Sequence, residues 1–312
     1  MNNKNNKIDL SVKVKEVNFL NPILPASGTF GFGEEFSEIY DLNILGGIVT
    51  KSLRLNYFSG NPQPRLYEVP CGLLNSIGIP SDGYEFFKKY HLPFLLKLSI
   101  PKIISVAGNT VEDYVELVKK LNKDKGIDVI ELNVSCPNLE KEGKTFDSDK
   151  DVFIEVVKQV KGISSYPVFV KLSPNADILQ NAILSEKLGA EGVVISNTLL
   201  GMAIDVENKK PVFKNIFAGL SGPCVKPQIL RLVWQVAEKV NIPIIASGGI
   251  SNAKDAIEFL LAGATLLEVG TANFFNLYVM PEIISGIKKY LVRNGFESIN
   301  EIIGLARKER IS

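Results

Sequence analysis

The chain has 312 residues, 46% of them apolar and 22% charged, and its formal net charge is +1. This is the balance of an ordinary globular protein, and it gives no bias toward nucleic acid, anionic membranes or acidic partners. The only histidine, His91, nearly excludes chemistry built on histidine bases or histidine metal ligands.

The three cysteines are far apart in the sequence and form no C-x-x-C motif. This argues against a disulfide framework, a zinc site or an iron–sulfur cluster within the chain, and it fits a reducing compartment. The first residues are polar, without the apolar stretch of a signal peptide, and the apolar runs are too short to cross a bilayer. We therefore expect a cytoplasmic protein that binds no metal, no nucleic acid and no membrane.

In chain order, short β-branched runs alternate with amphipathic helical stretches. Eight runs read as strands: residues 22–27, 46–52, 102–108, 128–135, 167–173, 192–198, 243–249 and 265–271. Six stretches read as helices: residues 111–122, 151–162, 176–188, 227–240, 252–262 and 281–294, with Gly189 and Gly263 where two of them should end. Eight β/α units without a break in composition predict a single α/β domain over residues 1–312, a closed (β/α)8 TIM barrel; a doubly wound open sheet is the alternative.

Three connections are longer than a barrel needs. Residues 53–82 and 199–226 are long loops of the kind that carry function, and the alternative is a merely solvated loop. Residues 137–150 form a polar segment with Gly143, which we interpret as a mobile lid or a solvated loop.

The carboxyl ends of barrel strands converge on the active site. The predicted ends carry two lysines, several asparagines, several hydroxyls and one thiol: Ser27, Lys51, Ser52, Asn109, Asn133, Cys136, Lys171, Ser196, Asn197 and Thr198. A second polar cluster lies in the first long loop: Asn75, Ser76, Ile77, Gly78 and Ile79. The neutral amides together suit a planar, amide-rich ligand such as a pyrimidine, although a single asparagine is more often a turn residue.

Glycines follow the last two strands. Gly248, Gly249, Gly270 and Thr271 fit the phosphate site of a barrel, where backbone N–H groups approach the anion; tight βα turns are the alternative. Because lysine rarely enters a barrel interior without a partner, Lys171 is a candidate to face developing negative charge, whereas a strand-end lysine that reaches solvent is the alternative.

Cys136 is the candidate base. Its place in Asn133-Val134-Ser135-Cys136-Pro137-Asn138, at the end of the fourth strand, favours a functional thiol over an inert buried cysteine. Cys71 and Cys224 have no comparable setting, and we expect them to be structural.

These residues together resemble the class 1 dihydroorotate dehydrogenases, from about Asn21 to Ala306. The resemblance is carried by ordered motifs that include Pro25-Ala26-Ser27-Gly28, Leu74-Asn75-Ser76-Ile77-Gly78, Glu131-Leu132-Asn133-Val134-Ser135-Cys136-Pro137-Asn138, Val170-Lys171-Leu172-Ser173-Pro174-Asn175, Ser247-Gly248-Gly249-Ile250 and Val269-Gly270-Thr271-Ala272. It implies an FMN-containing oxidoreductase of pyrimidine biosynthesis. In that family Cys136 would take a proton from C5 of dihydroorotate while hydride passes from C6 to flavin N5, and Lys171 would stabilise the reduced, anionic flavin.

The resemblance also implies the binding residues. The FMN phosphate would lie on Gly222, Gly248, Gly249, Gly270 and Thr271, and the ring and ribityl chain would contact Ser27, Lys51, Ser52, Asn109, Asn133, Lys171 and Ser196. Dihydroorotate would be held by Lys51, Asn75, Ser76, Ile77, Gly78, Ile79, Asn133, Asn138, Asn197 and Thr198.

Within class 1, the motifs at Lys171 and at Gly219-Leu220-Ser221-Gly222-Pro223 look like the 1B type. Its catalytic subunit forms a homodimer inside a heterotetramer, and a partner subunit with FAD and a 2Fe–2S cluster passes the electrons to NAD+. This chain has no G-x-G-x-x-G fingerprint, so another chain would have to bind NAD+. One departure is Phe217-Ala218-Gly219, where the 1B pattern usually has paired glycines.

Four alternatives remain from the sequence. The chain is also compatible with a fumarate-linked 1A-like enzyme, with another FMN barrel acting on reduced pyrimidines or on RNA, with a phosphate-binding barrel that performs no redox chemistry, and with an inactive barrel scaffold. An RNA-modifying barrel would favour a basic surface, which the net charge does not suggest. Bound flavin in the purified protein would count against the barrel without redox chemistry and against the inactive scaffold.

Overall fold

The computed structural model describes residues 8–135 and 145–308. Its strands, in chain order, are β1 (Val12–Val14), β2 (Val17–Phe19), β3 (Ile23–Pro25), β4 (Ile48–Val49), β5 (Leu66–Val69), β6 (Gly72–Asn75), β7 (Lys102–Val106), β8 (Val129–Asn133), β9 (Val168–Leu172), β10 (Gly192–Ile195), β11 (Leu199–Met202), β12 (Ile204–Asp205), β13 (Lys210–Pro211), β14 (Phe217–Ser221), β15 (Ile244–Ser247) and β16 (Leu266–Val269). Its α-helices are α1 (Glu34–Ser37), α2 (Tyr84–Phe86), α3 (Leu92–Leu95), α4 (Val111–Leu121), α5 (Lys150–Ile163), α6 (Ile178–Lys187), α7 (Lys226–Ala237), α8 (Ala253–Ala262), α9 (Val279–Asn294) and α10 (Leu305–Lys308).

Eight parallel strands form the barrel, in the order β3-β16-β15-β10-β9-β8-β7-β4. The two end strands meet where the N–H of Gly46 donates to the carbonyl of Ile23 at 2.9 Å. A β-carbon at Gly46 would collide with the carbonyl of Asn21, so only glycine permits this approach. The closed barrel is therefore confirmed over the open sheet, and each of the eight predicted strands and six predicted helices is present with bounds shifted by a few residues.

Local sequence explains where these elements begin and end. Strands β8 and β9 are buried along their whole length, because side chains fill the barrel on one face and helices cover the other. Helix α4 begins at a capping box in which Thr110 and Asp113 cap one another's backbone N–H groups. Gly189 and Gly263 have φ of 88° and 118°, as predicted for helix ends.

The two long loops both contribute strands to one small sheet. Strands β11, β14, β6 and β5 pair as a four-stranded antiparallel sheet in that order, with Asn75 opposite Gly219. Because β11 follows the carboxyl end of β10, this sheet lies at the end of the barrel where the active site was predicted. None of the described helices has the length and apolar character that crossing a bilayer requires.

Candidate active site

Polar side chains from several strand ends form one continuous hydrogen-bonded chain. The hydroxyl oxygens of Ser27 and Ser52 lie 3.5 Å apart, and that of Ser52 lies 2.9 Å from Ser105 Oγ. The side-chain amide of Asn133 donates to Ser52 Oγ at 3.3 Å, and the amide of Asn197 donates to Asn133 Oδ1 at 3.4 Å. Side chains far apart in the sequence thus converge as predicted.

Lys171 lies inside the barrel between two carboxyl groups. Its ammonium is 2.5 Å from Glu268 Oε2 and 3.5 Å from Glu131 Oε2, and the three side chains are at most 4% exposed. The lysine is therefore not a strand-end cation that reaches solvent. Burying an unpaired ammonium would destabilise the folded protein by several kcal/mol. The two carboxyls therefore make a buried lysine possible at this position.

The cluster also fixes the charges of its members. Burial alone would lower the pKa of Lys171, but the charges of Glu131 and Glu268 outweigh it and hold the pKa above its usual value. Burial and the neighbouring Glu131 raise the pKa of Glu268 from 4.5 to about 8. Glu131 and Glu268 are close enough for a carboxyl–carboxyl hydrogen bond, which requires a proton on one of them. With a pKa of about 8, the carboxyl of Glu268 is mainly protonated at neutral pH.

The glycines at the last two barrel strands form a cradle. Gly222, Gly248 and Gly249 have φ of 107°, 136° and 78°, and a β-carbon at Gly249 would lie 2.6 Å from the backbone of Lys226. Within the described residues, the N–H groups of Gly248, Gly249 and Gly270 form no backbone hydrogen bond. Free amides beside close-packed glycines are the donor set that a phosphate needs, so the residues present fit the expected phosphate site.

Thr271 and Ser196 complete this side of the site. The hydroxyl of Thr271 donates to Ser221 Oγ at 2.8 Å and so connects the cradle to strand β14. The hydroxyl of Ser196 donates to the carbonyl of Asn197, and its N–H donates to the carbonyl of Ser247 at 2.9 Å. Both side chains are buried.

The predicted substrate cluster lies in and beside the antiparallel sheet. The amide of Asn75 donates to the carbonyl of Gly219 at 3.0 Å, and Ser76 Oγ accepts from Asn61 at 3.1 Å. The carbonyl of Ile77 accepts the N–H of Asn61, and Gly78 has a φ of 76°. A β-carbon at Gly219 would lie 2.2 Å from Thr198 Oγ1 and 3.0 Å from Asn75 Nδ2, so the structure brings Asn75 and Thr198 together.

Arg54 links the loop after β7 to the loop after β6. Its guanidinium donates to Asn109 Oδ1 at 2.6 Å and to the carbonyl of Ile79 at 3.0 Å, and it lies 4.3 Å from the centre of the Phe58 ring. Lys51, one of the predicted site residues, follows β4 nearby, half-buried, with its N–H donating to the carbonyl of Gly31. Arg54 is itself only 6% exposed and fixes the orientation of the Asn109 side chain.

Two predicted site residues, Cys136 and Asn138, lie outside the described residues. The chain before them is placed by Ser135, whose N–H donates to Asn133 Oδ1 at 3.2 Å. The chain after them is anchored by Asp147, which is 3% exposed and accepts the N–H of Ser173 at 2.6 Å. Phe146 is fully buried, so this residue and Asp147 are packed, and the mobile lid expected within residues 137–150 stays a prediction.

The structural role expected for Cys71 and Cys224 stays a prediction. Both are exposed free cysteines, and the N–H of Cys224 donates to the carbonyl of Cys71 at 3.1 Å. The single histidine, His91, lies 2.9 Å from Glu34 and stacks on Phe32. Across residues 8–135 and 145–308, no cluster of histidine, cysteine and acidic residues is able to hold a metal ion.

Sequence reasoning missed Glu131, Glu268 and Arg54. A signal for the two acids was present, because each is a charged residue inside an otherwise apolar strand. Glu131 also lies two residues before Asn133, which places both on the same face of β8. Arg54 had no such signal, since its partners Asn109 and Ile79 come from two loops that are distant in the sequence.

Comparison with known proteins places the chain in a family. The family model described as dihydroorotate dehydrogenase matches residues 9–291. A protein of Desulforamulus reducens named dihydroorotate dehydrogenase B (NAD(+)), catalytic subunit, is 50% identical over 301 residues, 96% of this chain and 99% of that protein. Proteins with the same name from Thermoanaerobacter pseudethanolicus and Bacteroides fragilis are 48% and 45% identical, each over 95% of this chain and 98% of their own length.

Proposed function

The chain belongs to the dihydroorotate dehydrogenase family, and we propose that it oxidises dihydroorotate to orotate in pyrimidine biosynthesis. The observation that carries this proposal is the hydrogen-bonded chain from Ser27 through Ser52 and Asn133 to Asn197, beside the buried Lys171. It offers amide donors and acceptors to a pyrimidine and a cation close to the place where a reduced cofactor carries its charge.

The cofactor that fits is FMN. Its phosphate would be held by Gly222, Gly248, Gly249, Gly270 and Thr271, where glycine backbone amides are free to donate. The flavin ring and the ribityl chain would be held by side chains at the strand ends: Ser27, Lys51, Ser52, Asn109, Asn133, Lys171 and Ser196. When bound, FMN supplies an acceptor for the hydride that leaves C6 of dihydroorotate.

Dihydroorotate would be oriented by polar groups between the barrel and the antiparallel sheet. Asn133 and Asn197 present side-chain amides from the barrel, and Asn75 and Thr198 approach from beside Gly219. Lys51 would contribute a positive charge for the substrate carboxylate. The remaining contacts would come from Ser76, Ile77, Gly78, Ile79 and Asn138.

Cys136 would remove the proton from C5 of the substrate as the hydride leaves C6. It follows Ser135 directly in the sequence, and Ser135 lies just after the carboxyl end of β8, where its N–H donates to Asn133 Oδ1. A thiolate is a base of useful strength near neutral pH, whereas an alkoxide is not accessible there. The ammonium of Lys171 would offset the negative charge that builds on the cofactor side.

The electrons would leave through a second subunit. The relatives are named catalytic subunits of an NAD(+)-linked enzyme, which supports a partner for this chain as well. We propose a partner that carries FAD and a 2Fe–2S cluster, a homodimer of this chain, and a heterotetramer of the two proteins. A cytoplasmic location fits because NAD+ is a water-soluble nucleotide.

The experiment is a product assay with a defined control substrate. The purified chain, supplied with FMN and an artificial two-electron acceptor, is given dihydroorotate or dihydrouracil, which lacks the carboxylate. We expect orotate to form and dihydrouracil to react at least about 100-fold more slowly, because Lys51 is left without its partner. Equal rates, or no orotate, would contradict the proposal.

A further inference from the structure

The fold brings two cysteines together that are far apart in the sequence. Cys71 lies in the two-residue turn between β5 and β6, and Cys224 lies just after β14. The N–H of Cys224 donates to the carbonyl of Cys71 at 3.1 Å. This bond limits the separation of the two α-carbons to at most about 7 Å, which overlaps the range that disulfides span.

The side chains are close as well as the backbones. A β-carbon at Gly72 would lie 2.8 Å from Cys224 Sγ, so this sulfur lies over the turn that contains Cys71. A β-carbon at Gly222 would lie 2.7 Å from the α-carbon of Gly72, so glycines on both segments permit the close approach. Cys71 has a φ of 62°, a conformation in which glycine or asparagine is usual.

Both thiols are accessible. Cys71 and Cys224 are exposed and free, and no other cysteine lies among the described residues. Burial and the neighbouring Cys71 raise the pKa of the Cys224 thiol, so Cys224 is mainly protonated near neutral pH. Cys224 is therefore suited to react second, after it loses its proton.

We propose that Cys71 and Cys224 are a thiol–disulfide modification site that exchanges with small disulfides such as glutathione disulfide. The Cys71 thiolate attacks one sulfur of the small disulfide, its S–S bond breaks, and one glutathione thiolate leaves. Cys224, on losing its proton, attacks the Cys71 sulfur of the mixed disulfide and releases the second glutathione. The two cysteines are oxidised by two electrons, one glutathione disulfide is reduced to two glutathiones, and the two cysteine protons pass to them.

The internal disulfide joins elements that serve both ends of the active site. It connects the β5–β6 hairpin, which ends at Asn75, to the segment that begins at Gly222. A bond that closes so long a loop restricts the unfolded chain, so the oxidised protein is expected to melt on the order of 5 °C higher. This inference does not depend on the proposed substrate or cofactor.

The test uses the full chain in a glutathione redox buffer, followed by intact mass and peptide mapping. We expect the wild type to lose two hydrogens, to yield a Cys71–Cys224 linked peptide, and to regain its original mass and melting temperature with dithiothreitol. The variants Cys71→Ser and Cys224→Ser should instead retain one glutathione on the remaining member of the pair, because no second thiol displaces it. Wild-type protein with glutathione on both cysteines, with neither modified, or with either one linked to Cys136 would overturn the proposal.

Discussion

Glu268 is the residue whose environment departs furthest from what the sequence suggested. It is fully buried beside Glu131 and Lys171, and the pKa of its carboxyl is raised from 4.5 to about 8. The folded protein therefore holds a proton that the unfolded chain releases between these two pH values. By linkage, this stabilisation is complete below pH 4.5 and is lost as the pH rises through about 8.

The variant Glu268→Gln should remove that dependence. Its amide keeps the shape of a protonated carboxyl, and the remaining pair of Lys171 and Glu131 is neutral. Urea unfolding should be measured from about pH 5 to pH 8. Over this range the free energy of unfolding of the wild type should fall by on the order of a few kcal/mol relative to that of the variant. Asp205→Asn is a matched control, because this carboxyl is exposed and lies outside the barrel. Parallel pH profiles for the wild type and Glu268→Gln would show that Glu268 takes up no proton on folding between these pH values.

Cys136→Ser tests the base. Serine keeps the size of the side chain but is a far weaker base at neutral pH, so flavin reduction by dihydroorotate should slow by about 10²- to 10⁴-fold while FMN remains bound. Stopped-flow absorbance under anaerobic conditions measures that step directly. Cys71→Ser, which removes a thiol that is not among the proposed catalytic or binding groups, should reduce its flavin at the wild-type rate. A fast Cys136→Ser variant would assign the proton transfer to another residue.

Residue types at strand ends were predictable, but their partners were not. Lys171 was recognised as a buried cation because a lysine inside an apolar strand needs compensation. Its acceptors Glu131 and Glu268 come from β8 and β16, and their meeting depends on the closure and stagger of the whole barrel. Arg54 was missed for the same reason, since its bonds to Asn109 and Ile79 exist only after the loops fold.

At the scale of elements, the glycine cradle predicts that alanine has different effects at Gly249 and at Gly295. Gly249 and Gly295 have nearly the same left-handed φ, 78° and 76°, but a β-carbon at Gly249 meets the backbone of Lys226 whereas one at Gly295 meets nothing within 4 Å. Gly295→Ala should cost only about 1 kcal/mol of unfolding free energy. Gly249→Ala should cost roughly 2–4 kcal/mol and weaken FMN binding at least about 10-fold, because the backbone must move.

The measurements are urea unfolding of both variants without cofactor and fluorescence titration with FMN. Gly295→Ala controls for the strain of the left-handed conformation alone, and it lies at the end of α9, away from the site. If both variants lose the same stability and bind FMN equally, the cradle does not depend on close packing at Gly249.

The β/α alternation was read correctly from the sequence, whereas the antiparallel sheet was not. The barrel strands are apolar runs with a helix after most of them, and this local pattern survives in a single sequence. Strands β6 and β14 contain Gly72, Asn75 and Gly219, and they pair across a long separation in the chain. Residues of low strand propensity become strands here because their partners satisfy the backbone, which no local window reveals.

At the scale of the whole molecule, we predict that the electron acceptor depends on a second protein. The chain has no dinucleotide fingerprint, and the relatives are named as one subunit of an NAD(+)-linked enzyme. We predict that the chain alone oxidises dihydroorotate with an artificial acceptor but reduces NAD+ at least about 100-fold more slowly than the complex with its FAD and 2Fe–2S partner. Absorbance of NADH under both conditions measures this. Full NAD+ turnover by the isolated chain would remove the need for a partner.

We also propose that residues 1–312 behave as one domain. The eight barrel strands form a single ring, and β3 at one end of the chain pairs with β16 near the other. Segments near the two ends of the chain are also hydrogen-bonded to each other, since the N–H of Asp9 donates to the carbonyl of Glu297. Calorimetry should show one unfolding transition, and two separable transitions would contradict a single unit.

The most direct test of the central claim is an anaerobic titration of the flavin-loaded chain with dihydroorotate, followed by its visible spectrum. We predict that the oxidised flavin band bleaches completely, with one orotate formed for each flavin reduced. A flavin band that dihydroorotate leaves unchanged would show that this barrel holds FMN for a different substrate, and failure to bind FMN at all would contradict the account of the glycine cradle.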